Sequence, residues 1–132
     1  MTTELTFLAW TLVLALVQIF ATAGVRTKQY GSKWNAGARD EEMPPLDPLA
    51  GRLQRAQSNL YETLPLFAAA VLIAHLANRH SMLTSLGAQI FFWGRVIYLP
   101  LYAAGVPYLR SLVWLVSLIG LVMIIWTVLA PA

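Results

Sequence analysis

Four apolar stretches of about twenty residues or more, separated by short polar breaks, dominate this sequence and leave few folds open to it. They fall at about 5–25, 48–78, 83–104 and 108–129, each long enough to cross a hydrocarbon core of about 30 Å as a helix rising about 1.5 Å per residue. That core offers no water to backbone N–H and C=O groups, so helices are the form such segments take. With 58% of the 132 residues hydrophobic and 11% charged, no room remains for a separate water-soluble catalytic domain. The expected fold is all-α: an integral membrane four-helix bundle, one domain over residues 1–132, with any chemistry placed among its helices.

The first stretch also has the small-residue run Ala21-Thr22-Ala23 of a signal-peptide cleavage site, but Glu4 precedes it without any Lys or Arg, and we read it as a span. Residues 26–47, with Gly31, Gly37, Asp40-Glu41-Glu42 and Pro44-Pro45, read as a hydrophilic loop. Asp47-Pro48 reads as an N-cap with proline at the first helical position. Pro65 interrupts the second helix one turn beyond Tyr61, where a kink is expected. Arg79-His80-Ser81 form a tight turn, and Gly105-Val106-Pro107 separate the last two spans.

Orientation follows from counting cations. Arg26, Lys28, Lys33, Arg39, Arg52, Arg55 and Arg110 share one side, and only Arg79 lies on the other. The positive-inside rule puts the large loop in the cytoplasm and both termini outside. The net charge of +3 reflects this topology rather than nucleic-acid binding. No cysteine is present, which excludes disulfides, thiolate metal sites and a cysteine nucleophile. His75 and His80 have no companion at ligand spacing, so no metal site is expected, and neither a Ser-His-Asp grouping nor a glycine-rich phosphate loop is found.

The informative residues are those that break the apolar pattern inside the spans, because charge there is costly. Arg52, Arg55, Asn59 and Glu62 fall within an arc of roughly 80° on the second helix, at about 100° per residue. Arg95, Tyr98 and Tyr102 share a face of the third, and Arg110-Ser111 stand at the start of the fourth. Helical rise places Glu62 and Arg95 at one depth, where an ion pair is the plainest reading of both. Taken singly, Arg52 and Arg55 fit cations reaching for headgroups, and Tyr98 and Tyr102 fit packing aromatics. Together the stripe describes a polar cavity open to the cytoplasmic side, suited to a ligand with more than one negative group and one ammonium.

The run Arg52-Leu-Gln-Arg55-Ala-Gln-Ser-Asn59-Leu-Tyr-Glu62, followed by Pro65, resembles the MAPEG family, the membrane-associated proteins of eicosanoid and glutathione metabolism. Gly94-Arg95-Val96, Tyr102 and Arg110-Ser111 extend the resemblance along the chain. It implies a homotrimer of four-helix bundles with glutathione, as co-substrate, between neighbouring subunits near the cytoplasmic face. By resemblance, Arg55, Asn59 and Glu62 hold glutathione, Glu62 taking its ammonium and the arginines its carboxylates. Arg26 and Arg52 approach the peptide, Tyr98 and Tyr102 line the pocket, and Arg95 accompanies them on the third helix. Arg110, helped by Ser111, would stabilise the thiolate that attacks a lipophilic electrophile arriving from the bilayer. Gln57 replaces the histidine common in the motif, Ser58 replaces an arginine of the prostaglandin-forming branch, and the spacing from Tyr102 to Arg110 needs a one-residue shift, which argues against a specific eicosanoid synthase. A general glutathione transferase, with or without peroxidase activity, is therefore the leading expectation. A non-catalytic membrane protein that binds a small anion or membrane lipid, and a structural oligomer whose charges only pair, are the alternatives.

Overall fold

The computed structural model describes residues 1–131; Ala132, the last residue of the expected domain, lies outside the described residues. These form helices α1 (Thr3–Tyr30), α2 (Ser32–Ala36), α3 (Pro48–Leu76), α4 (Met82–Ala103) and α5 (Tyr108–Leu129), with no strand among them. By length and composition α1, α3 and α5 can each cross a membrane. α4 is as long as α5 and carries Gln89 and Arg95 among its apolar residues.

Local signals explain most boundaries. Thr2 caps α1 by accepting a hydrogen bond from the Leu5 N–H (3.2 Å), and Glu4 stands in the first turn where the helix dipole favours a negative charge. Ser81 and Thr84 form a reciprocal capping box at the start of α4. Pro48 opens α3 as expected, although the Asp47 side chain makes no capping bond. The expected loop over 26–47 is shorter than its polarity suggests. α1 continues to Tyr30, where Gly31 at φ +97° ends it, and α2 follows immediately. Loss of apolar periodicity at Val25 marks where the lipid-compatible surface ends, whereas the backbone hydrogen bonds of a helix continue without it. Gln29 then ties this end to α3: its Nε2 donates to the Pro45 carbonyl (3.0 Å) and its Oε1 accepts from the Asp47 N–H (2.7 Å).

α4 sits centrally, packed on α1, α3 and most extensively on α5, while α3 also touches α1 and α5. The α4–α5 seam depends on small residues. A Cβ at Gly87 or Gly120 would lie 2.5 Å from the other's carbonyl oxygen, and one at Gly94 would lie 2.9 Å from Ser117 Cβ, so the two backbones meet directly. Phe67 and Phe91 stack at 4.1 Å in a core with Leu8, Val71, Leu121 and Ile124. Outward, Leu12, Leu16 and Phe20 on α1 and Leu115, Ile119 and Val122 on α5 are exposed. So much exposed apolar surface suits a lipid solvent rather than water.

Candidate functional site

At the end where α3 begins and α4 finishes, the backbone brings two arginines of α3 and one of α5 around one tyrosine of α4. Arg55 Nε donates to the Tyr102 hydroxyl (3.1 Å), and the Arg110 guanidinium carbon lies 4.6 Å from the centre of the Tyr102 ring. Arg52 Nη1 donates to the Ala103 carbonyl (3.4 Å). These four side chains, with Gly105, Val106 and Pro107 of the α4–α5 turn, line a cavity of about 210 Å³. Gly105 is required there: it holds φ +74°, and a Cβ on it would fall 2.8 Å from Arg52 Cζ. Among the described residues no carboxylate lines the cavity. Three guanidinium groups facing one small space raise its positive potential, and each repels the others until an anion enters.

The expected site residues thus divide. Arg52, Arg55, Tyr102 and Arg110 share the cavity wall, whereas Arg26, Asn59, Glu62, Arg95, Tyr98 and Ser111 do not. Arg26 lies over the Trp34 ring of α2 (5.8 Å to its centre), its Nε buried without a partner. Ser111 is exposed on α5. Asn59 is half-buried with its Oδ1 unpartnered.

The pairing of Glu62 with Arg95 does not form. Both stand seven residues from the bonded pair Arg55–Tyr102, so the common depth of about 10 Å holds. Their directions differ. Glu62 faces outward and is exposed, while Arg95 is 0% exposed and turned into the bundle, its three guanidinium nitrogens without hydrogen-bond partners among the described residues. Arg95 rests on the face of Tyr98 (4.4 Å), Tyr98 meets Tyr102 edge-on (5.5 Å), and Tyr102 carries Arg110. Two rings in edge-on contact between two cations therefore join Arg95 to the cavity without Arg95 reaching it, each cation–ring contact worth about 0.5–2 kcal/mol.

Some polar residues escaped sequence reading. Gln18 and Thr22, one turn apart on α1, are buried with unpartnered side-chain atoms, as is the Trp34 Nε1. Measured from the Gln29–Asp47 bond, Gln18 and Asn59 both lie about 16–18 Å along their helices, so the polar level that includes Asn59 continues onto α1. The sequence signal was one amide in an apolar span.

The MAPEG family model matches residues 7–130, nearly the whole chain. The chain belongs to the MAPEG family. No curated protein and no solved structure matches it. MAPEG proteins include glutathione transferases and related enzymes, and they generally use glutathione. In this MAPEG member, Arg52, Arg55 and Arg110 supply cations suited to carboxylates and to a thiolate, while Glu62 stands about two turns further along α3.

Proposed function

We propose that the protein is a membrane-bound glutathione transferase. The observation that carries this reading is the cavity with three arginines and no carboxylate in its wall. Arg52 and Arg55 take the carboxylates of glutathione, and the exposed carboxylate of Glu62 takes its ammonium. Arg110 faces the sulfur. An ordinary thiol, with a pKa of about 8.5, is mostly protonated at neutral pH, and a guanidinium in a water-poor site favours the thiolate. The thiolate then forms a C–S bond with an electrophilic carbon. With a chloronitroaromatic substrate the C–Cl bond breaks, chloride leaves with the bond pair, and the thiol proton goes to solvent.

At about 210 Å³ the cavity is smaller than the roughly 300–1,000 Å³ usual for a small-molecule pocket. One chain therefore provides one wall, and in our reading a neighbouring copy in a homotrimer provides the other, against the exposed Glu62. α4 completes the four spans with α1, α3 and α5, the Arg52 end lies in the cytoplasm and both termini lie outside, as the cation count favours. Asn59, Tyr98, Arg95 and Arg26 support the site from behind, and Ser111 stands at its edge.

A second reading shares the cavity and lacks the chemistry: a non-catalytic protein that binds a small anion, favoured by the absence of any general base in the wall. Purified protein supplied with reduced glutathione and a chloronitroaromatic separates the two. Conjugation faster than in Arg110→Ala supports the transferase. Binding of glutathione without turnover supports the second reading, and no binding overturns the transferase.

A further inference from the structure

A second cavity lies at the opposite end of the bundle and has no part in the reading above. It measures about 500 Å³ and is lined by Asn78, Arg79, His80, Leu83, Trp126 and their neighbours where α3 turns into α4 and α5 finishes. Arg79 is the one Lys or Arg at this end. Its Nη1 donates to the Ala130 carbonyl across the turn, which holds the guanidinium at the cavity instead of leaving it to extend freely. Asn78, at φ +55°, turns the chain so that Arg79 and His80 follow one another along the rim.

Two apolar grooves open from this polar cavity, one on each side of Trp126. One, of about 360 Å³, shares Leu83 and Trp126 with it and runs along α5 past Met123, Val122 and Ile119 to Leu115. The other, of about 270 Å³, shares Trp126, Ala130 and Pro131 with it and continues over Leu129 and Ile125 to Val122. The first groove is lined by Leu, Ile, Val, Met and Trp side chains alone. From Trp126 to Leu115 it covers about 16 Å of helix, close to the half-thickness of a hydrocarbon core of about 30 Å. Trp126 is 66% exposed between them, at the depth where indole rings gather in membranes.

A cationic cup with two apolar channels, the longer of leaflet length and the shorter of about 10 Å, has the chemistry of one ligand class. We infer that this end of α4 and α5 is a binding site for a single anionic diacyl phospholipid, its phosphate against Arg79 and His80 and its two acyl chains on either side of Trp126. The charge matches the headgroup, and the fork matches the two chains. A free phosphate would leave both grooves unfilled, and an uncharged diacylglycerol would leave Arg79 without its anion.

The test uses full-length protein stripped of lipid in detergent, with bound molecules counted by native mass spectrometry. Phosphatidylglycerol should bind one per chain and outlast diacylglycerol of the same acyl length, and glycerol phosphate should not be retained. Arg79→Gln should weaken phosphatidylglycerol about fivefold, the effect of one interfacial cation, and Val122→Trp, which fills both grooves, should abolish retention. Equal binding of phosphatidylglycerol by native protein and Arg79→Gln overturns the inference, as does equal retention of the uncharged lipid. Because either variant could lose its fold, native protein and Trp126→Phe are also compared with acyl-brominated phosphatidylglycerol. Fluorescence quenching that Trp126→Phe removes supports the site; quenching that persists unchanged, or none at all, overturns it. Neither measurement depends on glutathione, so the transferase reading stands or falls separately.

Discussion

The two ends of the bundle treat their polar groups in opposite ways. Where α1 and α4 begin, Glu4 is buried at 5% exposure and accepts a hydrogen bond from Thr84 Oγ1 (2.7 Å), which in turn accepts from the Ser81 N–H (2.7 Å). There each buried polar atom of the capping box finds a partner within the chain. Where α3 begins and α4 finishes, Arg52, Arg55 and Arg110 surround a cavity without a carboxylate, and behind them Arg95, Asn59 and Arg26 keep buried atoms unpartnered. Buried polar groups are normally paired because leaving one unpaired costs about 1–3 kcal/mol. A paired set accounts for itself as structure. An unpaired set held in place by the same helices does not, and on the proposed reading it is stability given up for binding.

The largest effect expected from breaking this contrast is on catalysis at the unpaired end. Arg110→Ala should lower kcat/KM for glutathione conjugation about 100-fold, the usual cost of removing one group that stabilises a developing anion, with thermal stability unchanged. A comparable loss of stability would make Arg110 a structural residue. At the paired end the signature reverses. Thr84→Val removes the partner of a buried carboxylate and half of a capping box, and should cost about 2–3 kcal/mol in unfolding experiments while leaving glutathione affinity intact.

Gly105→Ala acts between these extremes. The left-handed backbone and the 2.8 Å approach to Arg52 Cζ predict about 1 kcal/mol of destabilisation and a displaced guanidinium, read as severalfold weaker glutathione binding. The smallest effect is of salt. Arg55 is exposed and Arg52 and Arg110 are only partly buried, so raising ionic strength from about 0.05 to 0.5 M should weaken glutathione binding a few fold, and should leave the Glu4–Thr84 end unaffected as measured by thermal unfolding.

Much of this was legible in the chain. α5 spans the residues expected of it, and α3 and α4 differ from expectation by only one or two residues, because apolar runs bounded by Pro48, Ser81 and Pro107 carry their own limits. Arg52, Arg55, Tyr102 and Arg110 come together because helical spacing and the short α4–α5 turn leave them little choice. Depth along a helix was equally readable, as Glu62 and Arg95 show by lying at one level. Direction was not. Which way Arg95 points depends on how α4 is rotated against α1, α3 and α5, and that rotation is set by the contacts at Gly87, Gly94 and Gly120 rather than by any feature of Arg95 itself. The extension of α1 to Tyr30 was missed for a related reason: a helix held by Gln29 against Pro45 and Asp47 needs no apolar face.

The central claim is that the unpaired arginines exist to meet an anionic thiol peptide, and glutathione-induced thermal stabilisation in detergent tests it most directly. Reduced glutathione should raise the unfolding midpoint of native protein in proportion to the logarithm of its concentration above Kd, and should raise that of Thr84→Val equally. The double variant Arg52→Ala/Arg55→Ala should show no such rise. A midpoint in native protein that glutathione does not move, or a rise that survives in the double variant, would contradict the account.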